Sequence, residues 1–268
     1  MNASEVKNQA RALGADLVGI APRSRWADWP AEHNPCSIMP QCQSVIVLGR
    51  KILRGAFRGI EEGTNFGSTY GNFGRGWAEF TFLPRIIYNL ACVLESSGAE
   101  AVPMSGGTPK GQQNVQLEVK ALAQAAGLGS IGKGGFFLTP QYGHRQRLAL
   151  LLTDLELPGN ELNELNLCQD CQACITACPL QAYSCQNGQF TLNRSLCQQC
   201  QNGAAAGGDL SCEPLDRLAA SCGRACLVAL EDKIEERFLH KFRQRAVWQR
   251  DLLGHPTVLS ANLKGEDK

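Results

Sequence analysis

The sequence predicts a mixed α/β protein: an α/β domain over residues 1–160, a cysteine-organised module over 161–230, and a C-terminal helix and tail over 231–268. Three observations predict it. Apolar runs of strand length alternate with stretches of helical apolar spacing through the first part. Ten of the 13 cysteines fall between Cys168 and Cys226. Five glycines crowd the segment from Gly127 to Gly135. The bulk numbers agree with a globular chain: 268 residues, 44% hydrophobic, 19% charged, net charge +1. So even a balance makes no electrostatic case for nucleic acid or a membrane surface. No apolar run approaches the ~20 residues of a membrane span.

The elements follow in order. Ser4 is expected to cap a helix with Val6, Ala10 and Leu13 on one face, closed by Gly14. Leu17 to Ala21 reads as a short strand. Ser44 to Leu48 is β-branched and continuous, the pattern of a strand covered on both faces. Phe82 to Ser97 carries Leu83, Ile86, Ile87, Leu90 and Leu94 at helical spacing and stops at Gly98. Val115 to Ala126 reads as a helix ended by Gly127. Arg147 to Leu152 reads as a strong strand. Gln201 to Leu210 is a flexible insertion, and Leu227 to about Leu253 reads as a charged helix with Leu230, Ile234 and Phe238 on one face. Residues 260 to 268 are polar and expected to fray.

The chemistry is concentrated in Cys168-Gln-Asp-Cys171-Gln-Ala-Cys174-Ile-Thr-Ala-Cys178-Pro179. This is C-x2-C-x2-C-x3-C-P, the bacterial ferredoxin spacing for a [4Fe–4S] cluster. Three thiolates on one tight loop reach three irons of one cube, and the fourth cysteine ligates a second cube. The partner motif is stretched: Cys197-x2-Cys200, an insertion, then Cys222-x3-Cys226, with Leu227 in place of the usual proline. The exchange rule assigns Cys168, Cys171, Cys174 and Cys226 to one cluster and Cys178, Cys197, Cys200 and Cys222 to the other. Cys185 and Cys212 are left over, and either could replace a member of the second set. Structural zinc is the competing reading of paired C-x2-C motifs. A disulfide framework needs an oxidising compartment. Met1 to Ala12 lacks an apolar leader region, so a reducing cytoplasm is expected. With little aliphatic content of its own, the module is expected to use its clusters as a core.

The glycine segment runs Gly127-Leu-Gly129-Ser-Ile131-Gly132-Lys133-Gly134-Gly135 and continues to Tyr142-Gly143. Gly127 to Gly132 matches G-x-G-x-x-G, but between a helix and a strand. The dinucleotide loop lies between a strand and a helix, so a dinucleotide site is rejected here. What remains is either a tight helix-to-strand turn or the wall of a cofactor site.

The run AGLGSIGKGGFFLTPQYGHRQRLALLLTDLEL, followed by C-x2-C-x2-C-x3-C-P, resembles the epoxyqueuosine reductase and reductive dehalogenase superfamily. The resemblance extends over about residues 4 to 240, through ALGADLVGIAP, SVIVLG and CGRACLVALEDK. It implies a nitroreductase-like α/β domain that binds cobalamin, followed by a ferredoxin-like domain with two [4Fe–4S] clusters. Electrons would pass from the clusters to a corrinoid cobalt that reduces an organic substrate. It also implies a cofactor-binding set of Gly127, Gly129, Ile131, Gly132, Lys133, Gly135, Tyr142, Gly143 and Arg145 along the corrin or its nucleotide tail. One departure matters. Where epoxyqueuosine reductases carry a proton-donating aspartate, this chain has Gln112, and an amide cannot supply that proton. Nor is there a repeat-type extension for tRNA, so epoxyqueuosine and nucleic acid are not the expected partners.

Proton donors are sought elsewhere. Tyr70, in a long glycine and aromatic loop, and Tyr142 are the catalytic candidates, with His144 beside them. Arg145 and Arg147 are candidates for a cofactor phosphate or for a solvated strand face. Glu61 and Glu62 read as an exposed face, Cys36 and Cys42 as simple buried residues. The leading expectation is a cobalamin-dependent iron–sulfur oxidoreductase acting on a small molecule. Its expected partner is a low-potential donor of ferredoxin or flavodoxin type. The alternatives are an electron-transfer protein without its own corrinoid and a flavin-binding α/β domain.

Overall fold

The apolar runs pair into one antiparallel sheet. The structure is a computed structural model that describes the chain except residues 63, 66, 105–114, 164–165, 188, 201–216, 219, 243–245, 251–255 and 261–268; for 246–250 and 256–260 it describes the backbone alone. Contacts gather the described residues into two units. The first comprises Met1–Lys51, Gly76–Ile131 and Gln146–Leu165, the second Ile52–Arg75, Gly132–Arg145 and Asn166–Lys268.

In the first unit, helix α1 (Ala3–Ala12) begins two residues earlier than Ser4 suggested. Asn2 is the cap: its Oδ1 accepts the Glu5 amide at 3.0 Å, and the Glu5 carboxylate accepts the Asn2 amide at 2.9 Å. This reciprocal pair satisfies two amides that a helix start leaves open. Strands β1 (Leu17–Pro22) and β2 (Ser44–Lys51), helix α2 (Leu83–Ser96), strand β3 (Ala101–Met104), helix α3 (Val119–Ala125) and strand β4 (Gln146–Thr153) complete it. The sheet order is β1-β2-β4-β3, every pair antiparallel. Ile20, Ile46, Leu151 and Pro103 lie in one cross-strand row.

Both faces of this sheet are covered, which explains runs without polar alternation. Val18, Ile20, Ile46, Leu48, Ala149 and Leu151 pack with Val6 and Ala10 of α1 and with Leu83, Ile86, Ile87, Leu90 and Leu94 of α2. The opposite residues, Leu17, Val45, Val47, Leu150 and Leu152, are buried too, and α3 packs on β1, β2 and β4. Gly19 lets the end of α3 approach: a Cβ there would lie 2.7 Å from the Ala126 carbonyl. Helix α3 starts at Val119 rather than Val115, because the Gln116 amide bonds the Glu32 carbonyl at 2.8 Å and keeps that stretch out of the helix.

In the second unit, helix α4 (Ala173–Thr176), the hairpin of β5 (Tyr183–Gln186) and β6 (Gln189–Leu192), and helices α5 (Arg194–Gln198) and α6 (Ser221–Leu230) carry Cys174, Cys185, Cys197, Cys222 and Cys226, and Cys168, Cys171, Cys178 and Cys200 lie just outside them. Asn193 caps α5 through the Leu196 amide at 2.9 Å. The long helix expected from Leu227 to about Leu253 ends instead at Leu230. The buried Glu231 carboxylate accepts the Phe242 amide at 3.1 and 3.2 Å and folds the intervening chain into turns. Beyond it, β7 (Ala246–Arg250) and β8 (Pro256–Ser260) pair antiparallel. Val247-Trp248 and Thr257-Val258-Leu259 are strand formers separated by Gly254 and Pro256, a turn signal that outweighs the charge pattern. The flexible insertion expected at 201–210 lies outside the described residues. Among the described residues, no helix is long and apolar enough to cross a membrane.

Candidate functional site

The cysteine spacing becomes two groups in space. Cys178, Cys197, Cys200 and Cys222 line one small pocket, together with Pro179, Leu180, Tyr183 and Arg217. Cys168, Cys174 and Cys226 are buried, with 8%, 6% and 5% of their surface exposed, and Cys171 is half-buried. Burial pushes the Cys226 thiol far up; the charges that raise it further are, in order, Cys174, Cys168, Cys171 and Cys222. Burial likewise holds Cys174 at about 11, with Cys168, Cys222 and Cys171 adding to it. Cys222 shares the pocket lining with Cys178, whereas Cys226, four residues further along α6, is absent from it. Burial raises Cys222 too, and Arg217 opposes the rise. The leftover Cys185 is exposed on β5, apart from the cavity lining, and Cys212 lies outside the described residues. Among the described residues, no group of three His, Cys, Asp or Glu side chains gathers closely enough for a single metal ion.

The thiols sit in an apolar nest that the module does not supply alone. Phe136 and Leu138 from the glycine segment, Leu167, Ala220, and Leu230 with Ile234 form one buried cluster with Cys168, Cys174, Cys222 and Cys226. The expected cluster-only core is thus supplemented by side chains from outside 161–230. The glycine segment packs directly on the first cysteine loop. A Cβ at Gly132 would lie 2.7 Å from the Cys168 Sγ, and one at Gly134 would lie 2.7 Å from the Cys174 Sγ. Between them, Lys133 donates from Nζ to the carbonyls of Gln169 at 2.7 Å and Cys171 at 3.4 Å. Gly135 and Gly143 hold left-handed φ of 71° and 59°. Gly127, φ 73°, lies in the first unit, where a Cβ would lie 2.2 Å from the Glu161 carbonyl. Close protein neighbours therefore account for glycine at 127, 132 and 134. Gly129 is buried, and Ile131 is 45% exposed.

Other predicted residues take varied places. Tyr70 is fully buried in an apolar cluster with Ile52, Phe57, Leu227 and Phe242. Its ring lies 5.3 Å from that of Phe57 and packs on the bare Cα of Gly74. Tyr142 is half-buried, its amide bonded to Thr139 Oγ1 at 3.2 Å. His144 is buried against Phe136, ring centroids 4.7 Å apart, with Nε2 2.9 Å from the Gly223 carbonyl; burial lowers it to about 4. Arg145 is wholly enclosed. It donates to the Ile52 carbonyl at 2.9 Å and lies 4.5 Å from the Phe238 ring, so a phosphate reaches it only if that cover moves. Arg147 pairs with Glu79 at 3.1 Å. Glu61 is a correction: it is 2% exposed and pairs with Arg54 at 2.8 Å and Arg58 at 3.4 Å, while Glu62 stays at the surface. The apolar helix face around it was the missed signal, since arginines three and seven residues before a glutamate fit a paired, enclosed carboxylate. Cys42 is buried and held at about 11 by burial, as a structural thiol would be. Gln112 lies outside the described residues.

Comparison with known proteins fits this arrangement. No family model matches the chain. The tetrachloroethene reductive dehalogenase of Desulfitobacterium hafniense is 28% identical over 242 residues, 74% of this chain and 41% of that protein. The epoxyqueuosine reductase of Gloeobacter violaceus is 29% identical over 206 residues, 67% of this chain and 60% of that protein. The chain is similar to members of the epoxyqueuosine reductase and reductive dehalogenase superfamily. It spans about two fifths of the dehalogenase and three fifths of the reductase. Solved members of this superfamily share its fold. A selenomethionine-labelled epoxyqueuosine reductase gives a TM-score of 0.56 at 16% identity, over 90% of this chain and 68% of that one. A catabolic reductive dehalogenase gives 0.61 at 19% identity, over 85% and 32%. Another superfamily member, an epoxyqueuosine reductase, was solved with an epoxyqueuosine-modified tRNA stem loop (TM-score 0.53, 16% identity, 87% and 66%).

Proposed function

We propose that this chain is an iron–sulfur oxidoreductase whose 161–230 module is a ferredoxin-like holder of two [4Fe–4S] clusters. The observation that carries it is one pocket lined by Cys178, Cys197, Cys200 and Cys222, with Cys226 outside that lining and buried in one apolar cluster with Cys168 and Cys174. Four thiols around one pocket, with Cys222 among them enclosed by apolar side chains, suit a cube with all-cysteine ligation. When bound, such cubes supply low-potential one-electron transfer.

The chain's own residues prepare that chemistry. Gly132 and Gly134 admit the first cysteine loop, and Lys133 ties two of its carbonyls in place. The buried thiols hold their protons tightly, so iron binding must expel those protons and its free energy becomes folding energy. The apolar nest of Phe136, Leu138, Leu230 and Ile234 keeps water from Cys168 and Cys226.

The finer reading is a cobalamin-dependent reductase of a small organic substrate, fed by a ferredoxin- or flavodoxin-type donor. Its support is the superfamily, in which a related reductive dehalogenase structure suggests a mechanism for B12-dependent dehalogenation (TM-score 0.58, 19% identity). A second reading is favoured by the glycines already engaged with protein: an electron-transfer protein without its own corrinoid. Anaerobic purification separates them. Iron and sulfide with a base-off cobalamin spectrum on adding the cofactor is the expected result. Full iron without cobalamin uptake leaves the electron-transfer protein, and a flavin spectrum overturns both.

A further inference from the structure

A lysine stands in the turn that packs on the first cysteine loop. Two bonds close that turn: the Gly135 amide donates to the Gly132 carbonyl and the Gly132 amide to the Phe136 carbonyl, each at 2.8 Å. Lys133 holds its second position. The glycines on either side have no left-handed φ, so neither is required by the course of the backbone. Both are required by space, since each fits against a sulfur, Gly132 against Cys168 and Gly134 against Cys174.

The ammonium is fixed as well. Nζ donates to the carbonyls of Gln169 at 2.7 Å and Cys171 at 3.4 Å, and lies 5.6 Å from the centroid of the Phe190 ring. Phe190 stands on β6, opposite Cys185 of β5. Lys133 is half-buried, which leaves its charge less screened than that of a fully solvated lysine. The hydrogen bonds choose between the two groups of thiols. Gln169 and Cys171 both belong to the stretch from Cys168 to Cys174, and Lys133 is absent from the lining of the pocket of Cys178, Cys197, Cys200 and Cys222.

We propose that Lys133 is a positioning residue for the cluster held by Cys168, Cys171, Cys174 and Cys226, tying down its loop and raising its reduction potential. This rests on the cluster assignment above. Each electron that a thiolate-ligated cube accepts adds one negative charge. A cation fixed beside it stabilises the reduced form over the oxidised one, and potentials of such clusters follow net charge, hydrogen bonding and exposure. The glycines at 132 and 134 let the turn come close enough for this, and the carbonyls of Gln169 and Cys171 keep the ammonium there.

The test is an EPR-monitored redox titration of the full chain, loaded anaerobically with iron and sulfide. It compares wild type with Lys133→Gln, Lys133→Met, Lys133→Arg and Phe190→Leu. Cys171→Ser, run beside them, marks by its altered signal which cluster is the first. In Lys133→Gln and Lys133→Met the first midpoint falls, by about tenfold in the reduction constant or ~59 mV for one electron, and the second moves less. Lys133→Arg, which keeps the charge, recovers most of the fall. Glutamine can still donate to a carbonyl, so a fall in Lys133→Gln without one in Lys133→Arg belongs to the charge and not to the tether. Phe190→Leu, which removes the ring beside the ammonium, gives a smaller fall and decides the matter should neither neutral variant hold the first cluster. A first midpoint equal to wild type in a fully loaded neutral variant, or in Phe190→Leu where no neutral variant loads, overturns the inference and leaves the cluster assignment standing. A wild-type chain that takes up no iron and sulfide overturns both.

Discussion

Replacing one hydrogen of Gly134 by a methyl group would put carbon 2.7 Å from the Cys174 sulfur. Neither the loop nor the thiol can yield without opening the apolar nest, so Gly134→Ala should cost about 1–3 kcal/mol as overpacking. A thermal melt and an iron assay read both consequences; a variant with unchanged midpoint and full iron contradicts this account of the glycine. His144 gives a second prediction at this scale. The unfolded imidazole takes its proton below its ordinary 6.5, the buried one only below about 4. Between those values the unfolded state holds more protons, so stability present above pH 6.5 is lost as pH falls toward 4. A shift of that size corresponds to roughly 3 kcal/mol. His144→Gln should flatten this part of the urea-midpoint curve against pH, and an undiminished slope would show that the loss has another source.

Among the elements, the short helix Arg58–Glu62 is held by charge as much as by packing. Glu61 is buried against Arg54, which also donates to the carbonyls of His240 at 3.0 Å and Lys241 at 2.7 Å and lies 4.2 Å from the Phe242 ring. Removing the carboxylate leaves an enclosed arginine without its partner. Glu61→Ala should therefore lower stability by about 3–5 kcal/mol. Chemical denaturation checks it, and a loss well under 1 kcal/mol would place the pair in water. The sequence foretold β1, β2, β4 and α2 well, because continuous apolar runs and helical spacing report burial directly. It misplaced what tertiary hydrogen bonds decide. Asn2 rather than Ser4 caps α1, Glu32 withholds the first turn of the helix expected at Val115, and Glu231 stops the one that seemed to follow Leu227. None of these partners is close enough in sequence for a pattern to register it, except the cap, where two capping residues compete two positions apart.

For the molecule as a whole, ferredoxin spacing is itself a statement of geometry, and the four thiols it groups as Cys178, Cys197, Cys200 and Cys222 line one pocket. Which side chains enclose the thiols was not legible. Phe136, Leu138 and Arg217 reach the cysteines only through the fold, and the two units are assembled from interleaved stretches of chain. The glycine segment read as either a tight turn or a cofactor wall, and the close approach of Gly132 and Gly134 to Cys168 and Cys174 could not be read from it. Both groups of thiols are thus braced by residues remote in sequence, and the central claim is that each group holds its own cube. Iron, acid-labile sulfide and EPR of the anaerobically purified chain, beside Cys178→Ser and Cys226→Ser, test it most directly. The wild type should contain two four-iron clusters, and each variant should lose or alter a different one. Zinc in place of iron, or the same EPR signal lost from both variants, would contradict it.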